Sequence, residues 1–169
     1  MTDSSISRKL AVASVPAEGL TIDIVADAAE RESLARANDL PSVERFVAKL
    51  EARPVGRDGL SVRGRLEADA TRTCVVTLER FVEEVREDID LRYSPEGAPV
   101  LHEGEDDDPP DQIVGGEVDL GAAAAEFFTL GLDPHPRKPG ATFDASAAGD
   151  EDDSPFAALK ALKGGAQDK

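Results

Sequence analysis

The chain has 169 residues, with 19 Lys and Arg against 35 Asp and Glu, for a formal charge of −16. That length suits one modest domain with extensions, and 6 Phe, 1 Tyr and no Trp leave its core to Val, Leu, Ile and Ala. One cysteine, Cys74, excludes an internal disulfide and a thiolate zinc cage; there is no apolar run of about 18 residues and no charged-then-apolar leader in residues 1–9, so the expectation is a cytoplasmic protein without a membrane segment.

The charge is uneven. Before Ser94 the acidic excess is small, and most of the negative charge follows it, concentrated in residues 103–108 and 150–153. Such runs repel themselves and stay solvated. Their field opposes a phosphate backbone over about 8 Å at physiological salt, which argues against sequence-independent nucleic-acid binding by the whole chain and leaves open a local basic face on the N-terminal half.

In chain order, residues 6–15 are expected as an opening strand, and residues 19–25 alternate Leu20, Ile22 and Ile24 with polar or small neighbours, the period of a strand. Asp27, three residues before Glu30, predicts a capping box and a helix with Ala29, Ser33, Leu34 and Ala37 inward, ended by Asn38 to Pro41. Residues 42–93 are strand-like, although 44–50 also suit a helical turn or two. Residues 56–59, Gly-Arg-Asp-Gly, form a turn. Leu60, Val62, Gly64, Leu66, Ala68 and Ala70 then alternate with polar neighbours in the clearest strand. Cys74, Val76 and Leu78 share a face, as do Phe81, Val85, Ile89, Leu91 and Tyr93 beyond them. An antiparallel meander follows.

Residues 94–114 hold four prolines amid Gly, Asp and Glu; they bury too little apolar area to offset their ordering entropy and are expected to form a mobile acidic loop. Asp119 then caps a helix with Leu120, Ala123, Ala124, Phe127 and Leu130 on one stripe, stopped by the proline-rich stretch 134–139. After a linker, Ser154-Pro155 opens a short amphipathic helix through Lys163, marginal by itself at under about 12 residues. The expected fold class is therefore α+β: an antiparallel sheet with flanking helices over residues 1–140, the mobile loop at 94–114 included, and an acidic, disordered tail with a short helix over 141–169.

Candidate chemistry is thin. Cys74 lies on a strand-like stretch with no proton acceptor nearby and reads as a buried structural thiol. His102 belongs to the acidic loop and His135 to a tight Pro134-His-Pro136 turn, where surface packing is favoured over ligation. The 103–111 run lacks the ligand spacing of a calcium loop, and Gly115-Gly116 lacks the remainder of a phosphate cradle. No catalytic residue, cofactor or metal ligand is assigned. Arg63 and Arg65, two apart on a strand, project together and with Arg72 form a candidate RNA or partner face. The competing reading, slightly preferred, is a solvated sheet face with Glu67 and Asp69 as counter-charges, since no aromatic residues are interleaved to stack bases. Phe156, Leu159 and Leu162 are the candidate docking residues of the tail, on a partner or on the domain itself.

Two stretches resemble one family. Thr73-Cys-Val-Val-Thr-Leu-Glu-Arg-Phe-Val-Glu-Glu-Val85 resembles the central segment of YceD-like proteins, the large ribosomal RNA subunit accumulation proteins. Glu117-Val-Asp-Leu, the Ala-rich run to Glu126 and Phe127, and Pro134-His-Pro136 resemble its second signature. The residues carrying the likeness are Cys74, Leu78, Phe81, Asp119, Leu120, Glu126, Pro134 and Pro136, and the similarity covers residues 7–139. Many members have Cys-x-x-Cys in the first stretch; here Thr77 stands at the second cysteine, so no metal or redox role of that pair can operate. The Ser154-Pro-Phe-Ala-Ala-Leu-Lys-Ala-Leu-Lys163 ending looks like that of alphaproteobacterial members. The resemblance implies a non-enzymatic role in accumulation or processing of large-subunit 23S ribosomal RNA. The partners implied are ribosomal or RNA-processing proteins, with RNA contacted indirectly if at all. The alternative is an acidic, chaperone-like module for a basic client unrelated to RNA.

Overall fold

The computed structural model describes residues 6–95 and 109–142. The chain enters with Ile6 fully buried and a strand of three residues, Lys9–Ala11 (β1), that gives way to a 3-10 turn at Val12–Ser14. The opening strand expected over residues 6–15 is cut short because the backbone it pairs with, residues 117–119, runs at once into a helix. Leu20–Val25 (β2) alternates as expected, with Ile24 inward. The capping box at Asp27 is formed: the Glu30 amide donates to Asp27 Oδ1 and the Asp27 amide to Glu30 Oε2, each at 2.9 Å, opening the helix Ala28–Ala37 (α1). Its buried residues are Leu34 and Ala35, whereas Ala29 and Ala37 of the expected stripe are exposed.

Ser42–Val55 (β3), Gly59–Thr73 (β4) and Arg80–Pro95 (β5) form the long antiparallel meander. Residues 44–50 are strand, and their blurred periodicity has a local cause. A register shift between Val43 and Arg45 inserts an extra residue, so Val43 and Phe46 both face the core although they are three apart. From there Phe46, Ala48, Leu50 and Ala52 on β3 meet Leu60, Val62, Leu66, Ala68 and Ala70 on β4 across one buried face.

The edge beyond β5 differs from a meander. Asp111–Ile113 (β6) pairs with β5 in parallel, Tyr93 opposite Asp111 and Pro95 opposite Ile113, which completes the sheet order β2-β3-β4-β5-β6. Residues 94–95 and 111–113 are therefore strand, a correction to the single loop expected over 94–114. His102 and the 103–108 run lie outside the described residues, as do residues 143–169 with Phe156, Leu159 and Leu162.

Glu117–Asp119 (β7) pairs antiparallel with β1 and leads into Leu120–Gly131 (α2). The inward stripe of α2 is Leu120, Gly121, Ala124 and Phe128; Phe127 is half-buried, and Leu130, expected inward, is 75% exposed. The repeat 120, 124, 128 follows one helical face more closely than one ending at 130. The Phe128 ring meets Phe46 edge-on, with centroids 5.8 Å apart. Both helices share one apolar core with the sheet, an α+β arrangement. Among the described residues no helix is long and apolar enough to cross a membrane.

The other sheet face carries charge in cross-strand rows. Arg45, Asp69 and Glu84 form one row across β3, β4 and β5; Lys49, Arg65 and Asp88 form another, and Glu51, Arg63 and Asp90 a third. Each row contains at least one directly opposed pair of opposite charges, which is mildly favourable, and the charge keeps this wide face in water.

Candidate interaction surface

The turn joining β4 to β5 is closed by its own backbone. The Cys74 amide donates to the Glu79 carbonyl and the Leu78 amide to the Cys74 carbonyl, both at 2.9 Å, and the Thr77 amide reaches Cys74 Sγ at 3.5 Å. This winding forces Leu78 to φ 59, a left-handed conformation that costs a residue bearing Cβ energy. The Leu78 side chain is 77% exposed, with Val75 half-exposed beside it in the turn.

The segment after α2 packs onto this turn. The Val75 amide donates to the Pro136 carbonyl at 2.9 Å, Arg72 Nη2 to the Asp133 carbonyl at 2.6 Å, and Lys138 Nζ to Glu79 Oε2 at 2.9 Å. Pro136 is buried and Pro134 exposed, and the His135 amide donates to Asp133 Oδ1 at 2.8 Å, tightening the proline turn. Fixed φ at the two prolines holds this stretch extended so that its carbonyls face the turn. The two stretches singled out in the sequence, far apart along the chain, thus form one knuckle. Arg80 and Arg137 flank it and make no ion pair among the described residues.

Cys74 is fully covered yet stands outside the main apolar core. Hydrogen bonding from the Thr77 side chain, aided against burial by the amides of Lys138, Thr77 and Val76, lowers the thiol to about 7. The turn wraps donors around one sulfur, and Thr77 contributes two of them, its side chain and its amide.

The remaining site candidates separate. Arg63 and Arg65 are exposed on the outer sheet face, but Arg63 Nε pairs with Asp90 at 3.2 Å and Arg65 Nε with Asp88 at 2.9 Å. Their charge is answered by carboxylates of β5, not by Glu67 and Asp69. Glu67 instead pairs with Arg45. Arg72 does not share that face. An odd separation from Arg63 and Arg65 turns it to the core side, where it is buried and bonds Glu83 at 2.6 Å and the Asp133 carbonyl.

Asp119 is a structural clasp. Burial would raise its carboxyl, but donors on Ser7, Arg8, Ala122 and Gly121 outweigh that and hold it below the ordinary carboxylate value. The Ser7 hydroxyl donates at 2.6 Å and the Arg8 amide at 2.8 Å, tying the entering chain to the N-terminus of α2. Leu120 is buried beneath it, Phe81 is half-buried beside the knuckle on β5, and Glu126 is exposed. Glu126 borders a groove of about 910 Å³ between α2, the end of α1 and β6, lined also by Leu34, Tyr93, Asp111, Ala122 and Thr129. Burial, then the carboxylates of Asp111, Glu126 and Asp119, push the Tyr93 phenol up to about 12. Sequence reasoning missed this groove, since its walls come from segments far apart along the chain, from Lys9 to Thr129, and missed Leu78 as an outlier, since nothing about a leucine announces positive φ. Among the described residues there is no group of three or more His, Cys, Asp or Glu able to hold a metal ion.

A family model described as large ribosomal RNA subunit accumulation protein YceD matches residues 62–163. The match begins within β4, takes in both halves of the knuckle, and continues beyond residue 142 to the end of the Lys-containing tail segment. No curated protein and no solved structure matches the chain.

Proposed function

We propose a function for this chain from one premise: it belongs to the YceD family, the large ribosomal RNA subunit accumulation proteins. The protein supports accumulation or processing of large-subunit ribosomal RNA in the cytoplasm, through contact with ribosomal or RNA-processing proteins rather than chemistry of its own. The observation that carries this reading is the knuckle. An apolar residue held at positive φ and 77% exposed, Leu78, is poor local design for stability alone. It sits inside the matched span, between two arginines without an ion pair among the described residues, on a chain of charge −16. An apolar tip in a cationic setting suits burial against a partner with an apolar pocket and an acidic or phosphate rim.

The test separates fold from function. Depletion of the protein is expected to lower large-subunit levels and raise unprocessed precursors of its RNA. Leu78→Gly removes the exposed side chain and relieves the backbone, so thermal stability holds or rises while rescue of the depleted strain is lost. Arg80→Glu combined with Arg137→Glu is expected to do the same. Normal large-subunit profiles on depletion would remove the ribosomal role; full rescue by both variants would remove the knuckle as its surface. Pull-down with and without nuclease distinguishes an RNA-bridged assembly from a single basic client.

A further inference from the structure

The five-stranded sheet has one long edge, β2, since the strand at its other side, β6, has only 3 residues. β2 pairs with β3 without a register shift, from Leu20 opposite Ala52 to Val25 opposite Val47. The next step of that register sets Ala26 opposite Phe46, and the Ala26 amide donates to the Phe46 carbonyl at 3.1 Å. Opposed residues of an antiparallel pair alternate between bonded and non-bonded. Leu20, Ile22 and Ile24 therefore direct their backbone groups at β3, and Thr21, Asp23 and Val25 direct theirs away from the sheet. Among the described residues no hydrogen bond takes up those outward groups.

Edges of this kind are commonly shielded by lysine, proline, a bulge or shortness. β2 runs Leu-Thr-Ile-Asp-Ile-Val over 6 residues and has none of these. Its one charge, Asp23, stands across from Lys49 without closing an ion pair, and Lys49 lies beside Arg65 and then Asp88. A strand added outside β2 extends that row, and the residue it sets opposite Asp23 meets a carboxylate. One row along, Val25 is 60% exposed next to half-buried Val47, so the position opposite Val25 takes an apolar side chain. On the core side Leu20 and Ile22 are only half-buried at the margin of the apolar core, where apolar residues of a neighbouring strand would cover them. A second copy fits badly. Pairing the three outward residues with one another opposes Asp23 to Asp23, between chains of −16 each.

We propose that β2 accepts an extended segment of a cationic partner protein as a further antiparallel strand, with main-chain bonds to Thr21, Asp23 and Val25, a Lys or Arg opposite Asp23, and apolar residues against Val25, Ile22 and Leu20. Main-chain bonding supplies the affinity. The cation opposite Asp23, helped by the negative field of the whole chain, selects basic segments. The edge shares no residue with the knuckle, and the inference does not rest on the ribosomal reading.

The test uses the full chain and the peptide acetyl-Lys-Val-Val-Lys-Val-Thr-Val-Lys-amide, whose middle lysine falls opposite Asp23 when its first valine and its threonine face Val25 and Thr21. Saturating peptide is expected to slow amide hydrogen exchange at Thr21, Asp23 and Val25 and to leave Ile22 and Ile24, already bonded to β3, unchanged. N-methylation of the middle lysine removes a donor aimed at the edge and should abolish the protection. Replacing the three lysines by glutamate should weaken binding about tenfold, and Asp23→Asn should narrow that difference. Asp23→Pro removes an outward amide and no bond to β3, so peptide binding should be lost at an unchanged unfolding midpoint. Equal binding of the lysine and glutamate peptides, undiminished binding of the N-methylated one, or protection absent or confined to other residues overturns the proposal. So does a dimer of the unmodified chain in sedimentation that Asp23→Pro disperses, which gives the edge to a second copy.

Discussion

Arg63 and Arg72 sit on one strand an odd number of residues apart, so they leave it on opposite faces. Arg63 joins a solvated ladder through Asp90, where an exposed pair contributes little. Arg72 is held between Glu83 and the Asp133 carbonyl, and its removal leaves a mostly buried carboxylate without its cation. Arg72→Met is expected to cost about 3 kcal/mol in urea unfolding, whereas Arg63→Met should cost under about 0.5 kcal/mol. Equal effects would contradict this assignment. Thiol titration followed by thiolate absorbance should place Cys74 near 7, and Thr77→Val should move it upward toward the ordinary 9, because one of the sulfur's donors is lost. The lowered thiol adds stability that is present above pH 9 and lost as pH falls through about 7.

At the scale of elements, the sheet depends on a place where no side chain fits. A Cβ on Gly64 would lie 2.0 Å from the Lys49 carbonyl oxygen and 2.8 Å from Leu50 Cα. Both are backbone of the neighbouring strand, so relief requires β3 and β4 to separate. Gly64→Ala is expected to destabilise by about 3 kcal/mol, while Gly56→Ala, a turn glycine with nothing within 4 Å, meets only the cost of positive φ. Chemical denaturation of the two variants compares them directly. Both helices were legible from their caps: Asp27 with Glu30, and Asp119 before an apolar run. Their buried stripes were less so, because which shoulder of an amphipathic helix touches the sheet depends on where the sheet lies. The bulge after Val43 hid the phase of β3 for a related reason, since an extra residue breaks the period that pattern reading relies upon.

For the whole molecule, acid is the informative variable. Glu30 is lowered chiefly by its hydrogen bond from Arg8, and the Glu44 carboxyl is also lowered, burial being outweighed by the hydroxyls of Ser42 and Thr71. Asp119 is lowered too. Depressed carboxyls stabilise the fold fully above their ordinary range, near 4.5 for Glu, and that contribution is lost as pH falls through the folded values. Thermal scans should therefore show a falling midpoint below about pH 4.5 even as acid relieves the repulsion of a chain at −16. A midpoint that keeps rising in that range would mean long-range repulsion dominates over these local bonds.

Sequence alone determined the α+β class, the long alternating strand of residues 60–70, both helix starts and the family likeness, because caps and periodicity are local and short in range. Tertiary structure decided the rest: the parallel edge strand, the opposite fates of Arg63 and Arg72, the fusion of two distant stretches into a knuckle with Leu78 at its tip, and the acidic groove. Those features arise only where separate segments meet, and a linear pattern carries no record of which segments become neighbours.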